Sequence, residues 1–166
     1  MPGSVLFRLL EDVEIVFQSV ELNVLILYFL SLPKSFGQIK IDDGFVEWKN
    51  LVIESMQLIK TTDSLKYDFL VTHCDRISFW NGEFSTTEDS SIVISTYDLK
   101  SKSKNNVACV LVHESKHLEL SKTKNLTQSA EECIAYRYEL DFLMKLKEPE
   151  SHLIQNCFKF LNKFCD

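Results

Sequence analysis

Between residues 45 and 60 the apolar side chains Phe45, Trp48, Val52, Met56 and Ile59 recur every three or four positions, the spacing of one face of an amphipathic helix. Upstream, residues 4–31 are dense in Leu, Val, Ile and Phe and close at Pro33; they predict one or two core helices, with enough β-branched content to leave a strand open. Asp42-Asp43-Gly44 reads as a turn between these segments. The period then changes. Leu65, Tyr67, Phe69 and Val71 alternate with other residues, which predicts a strand. Residues 77–80 and 83–85 flank Asn81-Gly82, a pair suited to the type I′ turn of a hairpin, and residues 91–97 predict a further strand. Two helices follow, at about 105–120 and 129–147; Pro149 stops the second, and a short amphipathic tail helix comes after it. The order is helices, an antiparallel or mixed sheet, then helices, with no βαβ alternation and no glycine-rich phosphate loop. The expectation is an α+β fold in a single domain over 1–166: a helical region at 1–33, a helix and sheet at 34–100, and two helices at 104–147.

Composition narrows the function. The chain has 166 residues, 45% apolar and 25% charged, which fits one folded domain with a real core. A net charge of -6 argues against nucleic acid or an anionic membrane as the main partner, and the basic stretch at 100–104 reads as a solvated loop. The most apolar run, 22–32, is about half the length a membrane span requires and contains Asn23, so no span is expected. Met1-Pro2-Gly3-Ser4 lacks the basic start of a secretory signal. Five cysteines, odd in number and without a CxxC pair, predict reduced thiols; Cys109 and Cys133 fall in predicted helices and read as small core residues. These features together place the protein in the cytoplasm.

The chemistry is concentrated in His113-Glu114-Ser115-Lys116-His117. Two imidazoles at i and i+4 lie on one helical face and can converge on one metal ion, while the glutamate beside the first reaches a water held there. Zinc lowers the pKa of such a water towards neutrality, and the carboxylate removes and later returns its proton. Chance gives the string in about one sequence in a hundred of this kind, so context decides. On a helical wheel His113, Glu114 and His117 share the apolar side with Val110, flanked by Val107, Leu111 and Leu118; Ser115, Lys116 and Glu119 point largely the other way. Two histidines on an apolar face are costly unless bonded to something.

A catalytic zinc takes three protein ligands and leaves a place for water. Residues 118–123 contain neither Gly nor His, so the motif does not continue into a third histidine of its own, and His73 and His152 lie outside it. On the next helix Glu132 sits near the middle of the apolar arc, with Glu139 two turns further on the same side and Glu131 at its edge. A carboxylate facing the core needs a cation or donors. Ser129-x-x-Glu132 also spells a capping box, in which Glu132 would cap the helix instead. Glu132 is the expected third ligand and Glu131 the reserve.

These residues resemble the zincin metallopeptidases, and among them the gluzincins, which have HExxH on one helix and a glutamate ligand on a following helix. The resemblance covers residues 91–147 and rests on His113-Glu114-x-x-His117, on Glu132 fifteen residues after the second histidine, and on a strand before the motif helix. It implies a zincin-like fold with a small sheet packed on a backing helix, to which the helix at 45–60 is similar in position. It also implies an edge strand that pairs with extended substrate, for which residues 91–97 look like the counterpart. Lys116 departs from the family, whose motif is usually uncharged at that point, and no separate C-terminal subdomain is visible. The function implied is hydrolysis of an amide bond in a peptide or protein substrate, with Zn2+ held by His113, His117 and Glu132 and with Glu114 as general base. Tyr136, Tyr97 and His73 are candidate donors to the tetrahedral intermediate. The rival expectation is a non-catalytic interaction domain with a structural or vestigial zinc. Oligomeric state is not written in the sequence.

Overall fold

In a computed structural model of the chain, residues 39–43, 46–123 and 125–165 are described. The expected helices at 4–31 lie outside these residues. The helix expected from position 45 spans Val46–Thr62 (α1), with Val52, Met56 and Ile59 fully buried. Each such side chain contributes about 1.5–3 kcal/mol on leaving water. A two-residue strand, Lys40–Ile41 (β1), precedes it.

Residues 64–73 depart from expectation: they form an α-helix, Ser64–His73 (α2), not a strand. Asp63 caps it, its carboxylate accepting from the Lys66 backbone N–H at 3.2 Å. The buried set is Lys66, Tyr67, Leu70 and Val71, a helical spacing, while Leu65 from the alternating set is 79% exposed. A window this short satisfies both periods, and the cap decides between them.

Arg76–Trp80 (β2), Thr86–Glu88 (β3) and Ser91–Ser95 (β4) complete a sheet of order β1-β2-β4-β3. β1, β2 and β4 are parallel, with Ile41 opposite Ile77 and Ile77 opposite Ile92; only β3 runs antiparallel, pairing Thr86 with Val93. The sheet is therefore mixed, and the first parallel pair is joined through α1 and α2. The expected hairpin at Asn81-Gly82 does not form. Neither residue has the positive φ a type I′ turn requires. Instead the segment curls around Trp80, whose Nε1 donates to the Phe84 carbonyl at 2.9 Å; a Cβ at Gly82 would meet that indole at 2.2 Å. The hairpin lies one step later, between β3 and β4, with Asp89 at φ 53 in its turn. β4 is consequently an inner strand, and the edge beside it is β3.

After a short helix, Thr96–Lys100 (α3), come Lys104–Leu120 (α4), Gln128–Leu143 (α5) and Ser151–Phe164 (α6). α4 occupies the middle of the fold, packed against α1, α2, α3, α5, β3 and β4. Its burial is correspondingly wide. Ser115, expected to face outward, is 0% exposed and donates its hydroxyl to the Val112 carbonyl at 2.8 Å. The architecture is α+β, six helices with a small mixed four-stranded sheet among the described residues. None of these helices is long and apolar enough to cross a membrane.

The cysteines need a correction. Cys74, Cys109 and Cys157 are free and buried, but Cys133 is joined to Cys165 in a disulfide. α6 returns along α5 and brings the two within Cα–Cα 5.1 Å across a sequence separation of 32, a proximity that spacing alone does not reveal.

The cap that turns residues 64–73 into a helix gives a test. Burial raises the Asp63 carboxyl, but the Lys145 ammonium and the Lys66 backbone N–H outweigh it and leave it below its ordinary 3.8. A depressed carboxyl stabilises the fold above its unfolded pKa and ceases to do so as pH falls through its folded value. Asp63→Ala should cost roughly 1–2 kcal/mol in urea unfolding at pH 7, the scale of a lost N-cap. The gap from wild type should narrow as pH falls below the ordinary 3.8 and through the lower folded value; a gap that stays equal across that fall would contradict the assignment.

Candidate metal centre

α4 begins at Ser103, whose hydroxyl accepts from the Asn106 N–H at 3.1 Å, and runs unbroken through the motif. Buried neighbours on several sides fix its rotation, so His113 and Glu114 are held at 8% and 7% exposure. One turn on, His117 sets its Nε2 3.1 Å from the Nε2 of His113.

α5 supplies the carboxylates. Its N-cap is Thr127, accepting from the Ala130 N–H at 3.2 Å. The capping-box alternative at Ser129 is therefore not used: Ser129 lies inside the helix and donates to the Phe164 carbonyl at 3.1 Å. Glu132 is left free to face α4, with one oxygen 3.5 Å from His113 Nε2 and the other 3.6 Å from His117 Nε2. His113, His117 and Glu132 make up the group that could hold a metal ion among the described residues. Glu131, the reserve, is outside it.

These separations test the fit. Four ligands around zinc at about 2.0–2.1 Å stand roughly 3.3–3.4 Å apart at tetrahedral angles. The His113–His117 separation of 3.1 Å is close to that edge, one Glu132 oxygen is 3.5 Å from His113 and the other 3.6 Å from His117, and one ligand atom from each residue lies within 4.8 Å of the other two. Two imidazole nitrogens and a carboxylate are also a donor set that zinc accepts, with room for a fourth position.

Glu139, seven residues after Glu132, completes the support. Its carboxylate accepts from His113 Nδ1–H at 3.0 Å, which turns Nε2 towards the shared centre. Sequence inspection places Glu139 on the inward side of the helix but gives it no role; the i, i+7 spacing was the available signal. The Tyr136 ring meets His113 edge-on at 4.4 Å and is stacked on Phe160 at 4.9 Å.

Charge at the site follows from this crowding. Burial opposes a proton on His113, but contact with Glu132 and Glu139 pushes its pKa up to about 10. Burial likewise opposes charge on Glu132, and the two histidines overcome it, drawing it down to about 2. A metal has to displace the His113 proton, so its binding competes with acid. Glu114 lies against the same histidines without belonging to the ligand group. Burial raises its carboxyl above the ordinary range, and Glu132 and Asp98 add to that effect while the histidines oppose it.

Asp98 is a further group that spacing alone did not find. It accepts from the Ser85 hydroxyl at 2.6 Å, and it acts electrostatically on Glu114. Lys116 turns away from the site, as expected: its ammonium lies 5.3 Å from each of the Phe69 and Tyr138 rings and pairs with Glu119. The remaining candidates are placed elsewhere. His73 donates through Nδ1 to the Phe69 carbonyl at 2.9 Å, His152 stands 3.7 Å from Glu150, and Tyr97 is 67% exposed.

Compared with known proteins, the chain matches no family model, no curated protein and no solved structure. The reading of this centre rests on its own geometry.

Metal analysis should find close to one zinc per wild-type chain, with His113→Ala and His117→Ala losing most of it. Glu132→Ala should weaken binding far more than Glu131→Ala, and Glu139→Gln should cost roughly 10–100-fold in affinity as a supporting group. Equal zinc in wild type and both histidine variants would remove the site; a dominant effect of Glu131→Ala would reassign the third ligand.

Proposed function

We propose that the protein is a zinc-dependent hydrolase of peptide bonds, similar in its site to the gluzincins. The observation that carries the reading is the convergence of one ligand atom each from His113, His117 and Glu132 within 4.8 Å of one another, a group that could hold a metal ion. When bound, zinc supplies Lewis-acid polarisation of the scissile carbonyl and of the attacking water. His113, His117 and Glu132 hold the ion, and Glu139 fixes the tautomer and tilt of His113. Glu114 is the base: buried beside the histidines, it takes a proton from the attacking water and delivers it to the leaving amine. The donor to the developing oxyanion is assigned to no residue; Tyr136 approaches the site through its ring.

The substrate proposed is a peptide or protein in extended form. The exposed edge beside the motif helix belongs to β3, Thr86–Glu88, and not to the strand at 91–97 expected for that role. Among the described residues β3 is an outer strand of the sheet and packs against α4, the helix that carries His113 and His117. Cytoplasmic placement remains part of the proposal, although Cys133 and Cys165 no longer support it. In a reducing compartment a disulfide is usually transient or redox-sensing.

Glu114→Gln separates catalysis from metal holding. The variant keeps shape and hydrogen-bonding reach, so it should fold, retain zinc and lose roughly 10²–10⁴-fold in hydrolysis. The assay is cleavage of an unstructured peptide library followed by mass spectrometry, with a chelator control. Activity unchanged in Glu114→Gln would refute the mechanism. Zinc binding without cleavage in the wild type would favour the rival, an interaction domain with a structural zinc.

A further inference from the structure

The Cys133–Cys165 disulfide lies beside the proposed ligand Glu132 and joins α5 to the end of α6. The two helices meet there through a short series of contacts. Ser129 donates its hydroxyl to the Phe164 carbonyl at 3.1 Å, and Cys157 Sγ–H donates to the Tyr136 carbonyl at 3.3 Å. The Tyr136 ring is stacked on Phe160 at 4.9 Å and on Phe164 at 6.1 Å, and it meets His113 edge-on at 4.4 Å. A continuous path of contacts thus runs from Cys165 through Phe164 and Tyr136 to a metal-competent imidazole.

The hold on α6 is uneven along its length. Its buried side chains, Leu153 and Cys157, lie in the first half. In the second half Phe160, Leu161 and Phe164 are only half-buried, and Phe158 is 50% exposed. Buried packing anchors the beginning of the helix; at its end the covalent bond adds to the stacking on Tyr136, the Ser129 hydrogen bond and the partly buried Leu161. Cys133 and Cys165 are both partly exposed residues, unlike the buried free cysteines.

We propose that the Cys133–Cys165 disulfide is a redox latch on the metal centre: opening it loosens the last turns of α6 and weakens zinc binding by His113, His117 and Glu132. The proposal rests on the zinc reading above. The chemistry is thiol–disulfide exchange with a dithiol. Its thiolate attacks one sulfur, the Cys133–Cys165 bond breaks, and a mixed disulfide forms. The second thiol of the reagent then displaces the protein sulfur. Two electrons and two protons pass to the protein, leaving two thiols and an oxidised, cyclic disulfide reagent. Freed from Cys133, Phe160 and Phe164 no longer clamp Tyr136 against His113, and the supporting side of the centre loses its fixed geometry.

The test uses the full chain and zinc ion as the probe. Zinc affinity is measured by competition with a chromophoric chelator for the oxidised wild type, for wild type reduced with a phosphine that is then removed, and for Cys133→Ser/Cys165→Ser. The double variant opens the latch without the two thiols that reduction releases, and the free thiols Cys74, Cys109 and Cys157 are common to all three samples. Hydrogen exchange across residues 158–164 is followed on the same samples without zinc. The expected result is about tenfold weaker zinc binding in both opened forms, faster exchange at 158–164, and recovery of the reduced wild type on reoxidation. Equal affinities in all three, or exchange that does not respond to the disulfide, would overturn the latch and leave the zinc site standing. No zinc bound by the oxidised wild type would overturn the functional reading and the latch with it. If the double variant does not fold, the reduced and reoxidised wild type decide the question.

Discussion

The candidate site depends on how α5 lies across α4. α4 alone can offer two imidazoles one turn apart, and two ligands rarely hold a metal tightly. The crossing brings Glu132 within 3.5–3.6 Å of both ring nitrogens and sets Glu139 behind His113 at 3.0 Å. A rotation of α5 by one residue, about 100°, would carry both carboxylates away from the histidines together. Thr127 at the helix start, the buried Ala135, Phe142 and Leu143, and the disulfide at Cys133 oppose that rotation.

This crossing also creates an electrostatic problem that a cation resolves. Glu114, Glu132 and Glu139 stand near two histidines in a region where His113 and Glu114 are almost wholly buried. Desolvation penalises every charge there, so the metal-free arrangement keeps a proton on His113 as counter-ion. A zinc ion would replace that proton with two charges at the point where the ring nitrogens and the Glu132 carboxylate converge.

The parts of this arrangement that repeat locally were legible in the sequence. His113 and His117 are one turn apart whatever surrounds them, and Glu132 stands out because a carboxylate on an apolar arc calls for a partner. The helix at Val46–Thr62 followed from its spacing in the same way. What escaped detection depends on long-range contact. Residues 64–73 fit two periods, and only the Asp63 cap and tertiary burial select the helix. The Asn81-Gly82 hairpin lost to the packing of Trp80 on its own loop. Ser115 is buried because α4 has neighbours on more than one side, which a helical wheel drawn for a single face does not represent. The pairing of Cys133 with Cys165 requires α6 to return along α5, and no local spacing encodes that return.

The central claim is that one zinc sits between His113, His117 and Glu132, and X-ray absorption at the zinc edge of the zinc-loaded full chain tests it most directly. The account predicts a first shell of nitrogen and oxygen alone at about 2.0–2.1 Å, with the outer-ring scattering of two imidazoles and no sulfur. Histidine scattering should fall by half in the residual zinc that a His117→Ala chain retains. A sulfur shell at about 2.3 Å, or a first shell of oxygen without imidazole, would place the zinc elsewhere and contradict the account.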